Sequence, residues 1–228
     1  MNNIYYNQEF KHIALIGDII NSKKIDDRFS IQAKMETVLS EINNDYKDDI
    51  DSNFMITLGD EFQGLLRSPS NITSIIEIIE REMYPVKLRF GIGIGNIDTN
   101  IIRETPFGMD GPAYHNARKM LQHIKASEKK RMVSKTDIMI EIDEAPEYSK
   151  LINTIFSLTY NIKKKWKEPQ VITINEYIHS GHNQEEAAAK LGITQSAVYK
   201  RLDSANYYTY VESMRNVENS LSELFKER

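Results

Sequence analysis

A chain of 228 residues, 40% of them apolar and 27% charged, is long enough to build two small domains with real cores. Its net charge of -4 excludes a protein that coats nucleic acid by charge alone, although it leaves room for a local basic face. The lack of Cys removes disulfides and thiolate metal sites, no apolar run approaches the roughly 20 residues of a membrane span, and residues 1–6 lack the pattern of a signal peptide, so a cytoplasmic protein is expected.

Residues 13–16 form a short apolar run followed at once by Gly17 and Asp18, which predicts a buried strand ending in a carboxylate. Ile31, Met35, Val38, Leu39 and Ile42 recur at helical spacing, predicting a helix over 29–46. Within 54–66, two strand-length apolar runs are broken only by Gly59 and Asp60, the pattern of a tight hairpin. A second helix starts after Pro69 and ends before Pro85, carrying Ile72, Ile75, Ile76, Ile79 and Met83 on one side. Residues 86–94 predict a fourth strand. Its alternating Gly91, Gly93 and Gly95 leave one face bare, against which a helix can pack closely. Pro112 opens a helix to about residue 126, and residues 136–142 alternate as an edge strand does.

The order β-α-β-β-α-β is that of ferredoxin-like sheets, in which the third strand lies between the first two and runs antiparallel to both. The end of the first strand then sits beside the hairpin turn, which brings Asp18 and Asp60 to one edge of the sheet. Two carboxylates beside a glycine turn suit a hard divalent cation with bound phosphates. Glu61, the neighbour of Asp60 along the strand, is expected on the opposite face. The histidines show no metal-ligand spacing.

The sequence Asp-Glu-Ala-Pro-Glu over 143–147 breaks the sheet pattern, and everything downstream reads as helical. Domains of 1–145 and 146–228 are therefore expected, in an α+β chain whose second part is all-α. Helices are predicted over 148–166, closed by Pro169, and over 170–179, stopped at Gly181. Residues 183–202 match a helix-turn-helix, with Ala188 at the contact between the helices, Gly192 in the turn and Leu191, Ile193, Val198 and Leu202 as core. Thr194 would cap the second helix. Its outward residues Gln195, Ser196, Tyr199 and Lys200 would face double-stranded DNA, with Arg201 and the lysines of 163–167 adding phosphate contacts. Three basic against two acidic residues over 183–202 is a modest charge for that task, and such units also serve as docking or dimerisation modules. Tyr207, Tyr208 and Tyr210 are expected to pack.

Residues 13–19, 58–62, 89–93 and 111–118 follow one another as core motifs do in the class III nucleotidyl cyclases, which the first 125 or so residues resemble. Residues 59–62 also resemble the end of the diguanylate cyclase signature. Over its whole length the chain resembles the SatD family of bacterial proteins. The cyclase resemblance implies that Asp18 and Asp60 bind Mg²⁺ or Mn²⁺, that Gly59, Asn116, Arg118 and Lys119 lie near a nucleoside triphosphate or related nucleotide, and that two copies pair. Leu58 stands where the diguanylate signature has its first glycine. Neither Ile56 nor Thr57 supplies the lysine with which class III cyclases choose the base. Asn116 is followed four residues later by Met120 instead of the arginine of those enzymes, a misfit for phosphoryl transfer. The expectation is a bacterial regulator with a degenerate cyclase-like metal and nucleotide site coupled to a DNA-binding helix-turn-helix. The alternative is an active metal-dependent nucleotidyltransferase whose helical part only docks partners.

Overall fold

The computed structural model describes residues 11–226; the first ten residues of the expected N-terminal domain lie outside it. Five strands, β1 (His12–Ile19), β2 (Ile50–Leu58), β3 (Glu61–Leu66), β4 (Leu88–Gly95) and β5 (Ile138–Ile142), form one sheet in the order β2-β3-β1-β4-β5. β1 is antiparallel to both β3 and β4, β2 is antiparallel to β3, and β5 joins β4 in parallel. The first four strands have the ferredoxin-like order and directions, and the fold is α+β. β5 occupies the edge that its alternating burial requires.

Helices α1 (Arg28–Asp45) and α2 (Ile72–Met83) cover one face, and α3 (Pro112–Glu128) covers the other. α1 starts where the Asp27 side chain accepts from the Ser30 amide at 3.0 Å, satisfying one of the free donors of a helix N-terminus. α3 approaches β4 so closely because the strand has no side chains on that side. A Cβ at Gly91 would stand 2.1 Å from the carbonyl oxygen of Ala117, and one at Gly93 would stand 2.0 Å from that of Ala113. The close helix packing predicted from the glycine alternation is the arrangement found.

The remaining helices are α4 (Pro146–Lys163), α5 (Glu168–His179), α6 (Gln184–Leu191), α7 (Gln195–Ser204) and α8 (Tyr207–Lys226). They do not stand apart from the sheet. Ile152 and Phe156 of α4 and Tyr210, Met214, Val217, Leu221 and Leu224 of α8 belong to the same buried cluster as Ile92, Ile94 and the apolar faces of α1 and α2. One core therefore runs across the expected division at 145/146. A smaller core of Ile174, Tyr177, Ala187, Ala188, Val198, Leu202, Ala205 and Tyr207 holds α5, α6, α7 and the start of α8 together. Several boundaries differ from the sequence reading. β2 starts at Ile50, four residues before 54. α4 starts at Pro146, where a proline fits the first turn. Pro169 likewise opens α5, since its missing N–H costs nothing there, instead of closing the helix before it. Among the described residues no helix is long and apolar enough to cross a membrane.

Candidate functional site

The ladder sets Glu61 of β3, Asp18 of β1 and Arg89 of β4 side by side, because Asp18 is directly opposite both of the others. Residues opposed across a sheet share a face, and this row faces α3. Arg89 donates from Nη1 to Asp18 Oδ2, and from Nε and Nη2 to the two carboxylate oxygens of Glu128, each at 2.7 Å. Lys125 Nζ lies 3.0 Å from the other oxygen of Asp18. Arg118 donates to Glu61 Oε1 at 2.8 Å and to Gln63 Oε1 at 3.3 Å. The row is thus a line of ion pairs along the seam between sheet and helix, buried at Asp18 and Arg89 and reaching solvent at Arg118 and Lys125. Burial works against the charge of Arg89, and its hydrogen bonds to Glu128 and Asp18 outweigh that, so its pKa rises above the ordinary value.

Asp60 lies elsewhere. Its backbone does meet β1, since the Ile19 amide donates to the Asp60 carbonyl at 3.1 Å. Its carboxylate accepts from the Ser22 hydroxyl, in a small cavity bordered by Ile19, Arg28, Ile31 and Met35 on the α1 side. The space, about 20 Å³, suits one water and no larger ligand. Topology brings the two aspartates to one edge as backbone, while the carboxylates go to opposite faces and to different partners. Glu61, not Asp60, shares a face with Asp18.

A divalent cation needs several converging oxygen ligands. Among the described residues no group of three or more His, Cys, Asp or Glu converges in that way. Asp18 has a cation on each of its oxygens, so a metal there would stand beside Arg89 and Lys125 or have to displace them. The donor set in this arrangement does not fit a resident Mg²⁺ or Mn²⁺.

The residues expected near a nucleotide are not brought together: Asn116 and Lys119 meet the sheet toward the end of β4 away from Arg89, and Gly59 lies in the hairpin turn. Gly59 adopts φ +60 in the hairpin turn and borders the Asp60 cavity. Asn116 donates to the Ile94 carbonyl at 3.3 Å, Arg118 holds Glu61, and Lys119 Nζ lies 3.2 Å from Glu141. Met120, at the position where the cyclases carry arginine, is buried in the core. Sequence reading missed Ser22, Lys125 and Glu128, and it gave Arg89 no role. Arg89 was within reach of a ladder argument, because antiparallel pairing of the first and fourth strands sets their ends opposite each other.

In the helical part, Asn183 caps α6 by accepting from the amides of Glu185 and Glu186, Gly192 turns the chain at φ 65, and Thr194 caps α7 by accepting from Ala197. Each residue does what the local backbone needs, since a left-handed turn favours glycine and free helix amides favour a hydroxyl or amide oxygen. Val198 and Leu202 are buried, and Gln195, Ser196, Tyr199 and Lys200 are exposed on α7. Arg201 turns inward and donates to the Thr173 hydroxyl at 3.0 Å. Lys163 is also turned inward, with its ammonium 2.6 Å from Glu80 and 2.7 Å from Asp137, so it is not the phosphate contact expected of it. Tyr207 and Tyr210 are buried, as packing residues should be, whereas Tyr208 is exposed and its hydroxyl accepts from the Gln184 amide at 3.0 Å.

Comparison with known structures gives likenesses at low identity. The chain is similar to a bacterial light-regulated adenylyl cyclase, at 11% identity over 59% of this chain and 77% of that one, with a TM-score of 0.42. It is similar to the monomeric guanylyl cyclase domain of the RhoGC fusion protein from the aquatic fungus Blastocladiella emersonii, at 14% identity over 49% and 74%, with a TM-score of 0.37. A regulator of polyketide synthase expression from Bifidobacterium adolescentis aligns over 98% of this chain and 88% of its own at 12% identity, with a TM-score of 0.27. A search of curated proteins finds no match. The SatD family model matches residues 12–221, nearly the whole chain, and the chain belongs to the SatD family.

Proposed function

We propose that this protein is a DNA-binding regulator in which α7 enters the major groove and the sheet carries a degenerate, non-catalytic relative of a cyclase site. The observation that carries the reading is the exposed face of α7. Gln195, Ser196, Tyr199 and Lys200 are free of the core while Val198 and Leu202 anchor the helix from behind. Amide and hydroxyl side chains are suited to base edges, and Lys200 to a phosphate. Two copies would present two such helices to successive half-sites about one DNA turn apart.

The ion pairs of Asp18 support a structural role for that carboxylate over a catalytic one. A nucleotide at this edge would bind by exchange, its phosphate oxygens replacing Glu61 as the partner of Arg118. Such an exchange would loosen the seam between α3 and the sheet, which is how the sheet could report a ligand. Incubation with each nucleoside triphosphate and Mg²⁺ or Mn²⁺, followed by chromatography, should yield no product. Selection from a random duplex library should enrich a defined sequence. A product that is lost in Asp18→Asn, with no enrichment of DNA, would replace this reading by the nucleotidyltransferase one.

A further inference from the structure

A cavity of about 420 Å³ lies between the sheet layer and the helices that follow it, and Ile20 and Leu88 on its border are close in the chain to Asp18 and Arg89. Its walls come from α2, the segment entering β4, α4, α5 and the start of α8. That volume is within the range of small-molecule sites. Lys163 lies on its wall, held between Glu80 and Asp137 at 2.6 and 2.7 Å, and all three side chains are at least four-fifths buried. Two carboxylates against one ammonium leave this triad with one net negative charge.

Glu77 adds a further carboxylate to the same wall, and its Oε1 is fully buried without a hydrogen-bond partner. Such an atom costs folding energy unless something binds it. Burial above all, and then the charge of Glu80, push the Glu77 carboxyl up to about 7, with Lys163 and Arg81 opposing and Glu218 assisting. Of the other cations of the wall, Lys87 is exposed, and Arg81 and Lys164 have neighbours of their own. Arg81 donates to Glu82 at 3.1 Å, and the Lys164 ammonium lies 5.5 Å from the centre of the Tyr160 ring.

Beyond these groups and the polar Lys87, Glu168 and Asn175, the wall is apolar and aromatic. Ile174 and Val171 contribute from α5, and the Trp166 indole is fixed by donating to the Ala205 carbonyl at 2.7 Å and by meeting Tyr210 edge-on at 5.1 Å. The exposed wall residues Lys87, Lys164 and Glu168 are solvated, and among the largely buried ones three carboxylates, Glu77, Glu80 and Asp137, face two cations, Arg81 and Lys163. An anion inside would therefore meet an excess of carboxylates, and a neutral hydrocarbon would leave Glu77 unpaired. We infer that this cavity binds a small organic cation, an amine with a compact apolar or aromatic body, whose ammonium donates to Glu77 and whose body lies against Trp166 and Ile174. Aromatic rings beside the bound charge add cation-π attraction. Because α5 and α8 form part of the wall and also pack against α6 and α7 through the smaller core, occupancy would tie the sheet to the helical part. The inference does not depend on DNA binding.

Trp166 is the single Trp of the chain, so its emission reports directly on the cavity. The full-length protein is titrated with 2-phenylethylamine, 2-phenylethanol and phenylacetate. The amine should give a saturable change, at least tenfold tighter than either analogue. Glu77→Gln, which keeps the shape of the side chain, should weaken the amine at least tenfold, and Val171→Phe, which fills the wall, should do the same. No saturation with the amine, or equal affinity for all three probes, overturns the proposal. An unchanged amine affinity in folded Glu77→Gln also overturns it. Should either variant fail to fold, the comparison of the three probes on the wild-type protein still decides.

Discussion

Asp18 and Arg89 are directly opposed on neighbouring antiparallel strands, and the arginine joins the Asp18 carboxylate to that of Glu128 at the C-terminal end of α3. This bridge fixes the last turn of α3 against the strand end that the sequence marks as a metal edge. Truncating one partner of a buried charge pair leaves the other uncompensated. Asp18→Asn should therefore lower stability by about 3 kcal/mol in urea denaturation. Millimolar Mg²⁺ should leave the wild-type midpoint unchanged, since a cation that does not bind the folded state cannot stabilise it.

The bare face of β4 makes a second prediction. A methyl group at Gly93 would stand 2.0 Å from a backbone oxygen of α3, which has no side-chain freedom with which to yield. Gly93→Ala should cost about 1–3 kcal/mol or more through forced separation of helix and strand. The melting temperature measures it, and an unchanged melting temperature would contradict the packing argument.

Glu77 gives a pH prediction. Its carboxyl rises from 4.5 to about 7 on folding, so between those values the folded state keeps a proton that the unfolded state has released. Stability from this group is complete below about pH 4.5, falls as pH rises toward 7, and stays low above it. A rise of this size is worth about 3 kcal/mol. Glu77→Gln should be more stable than wild type at pH 8 by an amount of that order, with the difference vanishing near pH 4, as read by denaturation across pH.

Thr194 provides a local test of α7. Its side chain accepts from the Ala197 amide at 3.2 Å, and Thr194→Ala should cost about 1 kcal/mol of stability. Thr194→Ser should restore most of it.

Much of the sheet is legible in the sequence, because its signals are local and repeated. The apolar run at 13–16, the glycine alternation at 91–95 and the isoleucine stripe of α2 each specify an element and its buried face, and the order of elements fixes the topology. The site is less legible for a specific reason. Side-chain direction follows strand parity only while the strand continues, and Asp60 sits in a turn where Gly59 adopts φ +60. The backbone neighbourhood of Asp18 and Asp60 follows from topology, but the divergence of their carboxylates does not. Glu61 obeys parity and pairs with Asp18 in the ladder. The continuity of the core through α4 and α8 is invisible for another reason. Met214, Val217, Leu221 and Leu224 recur at helical spacing, yet spacing does not say which layer they will bury against.

DNA binding through α7 is tested most directly by fluorescence anisotropy of an enriched duplex against wild type, Lys200→Glu and the control Lys23→Glu, at two salt concentrations. Wild-type affinity should fall steeply with salt, as counterion release requires. Lys200→Glu should weaken binding at least tenfold while Lys23→Glu leaves it unchanged. Salt-independent binding, or equal affinity for all three proteins, would contradict the account.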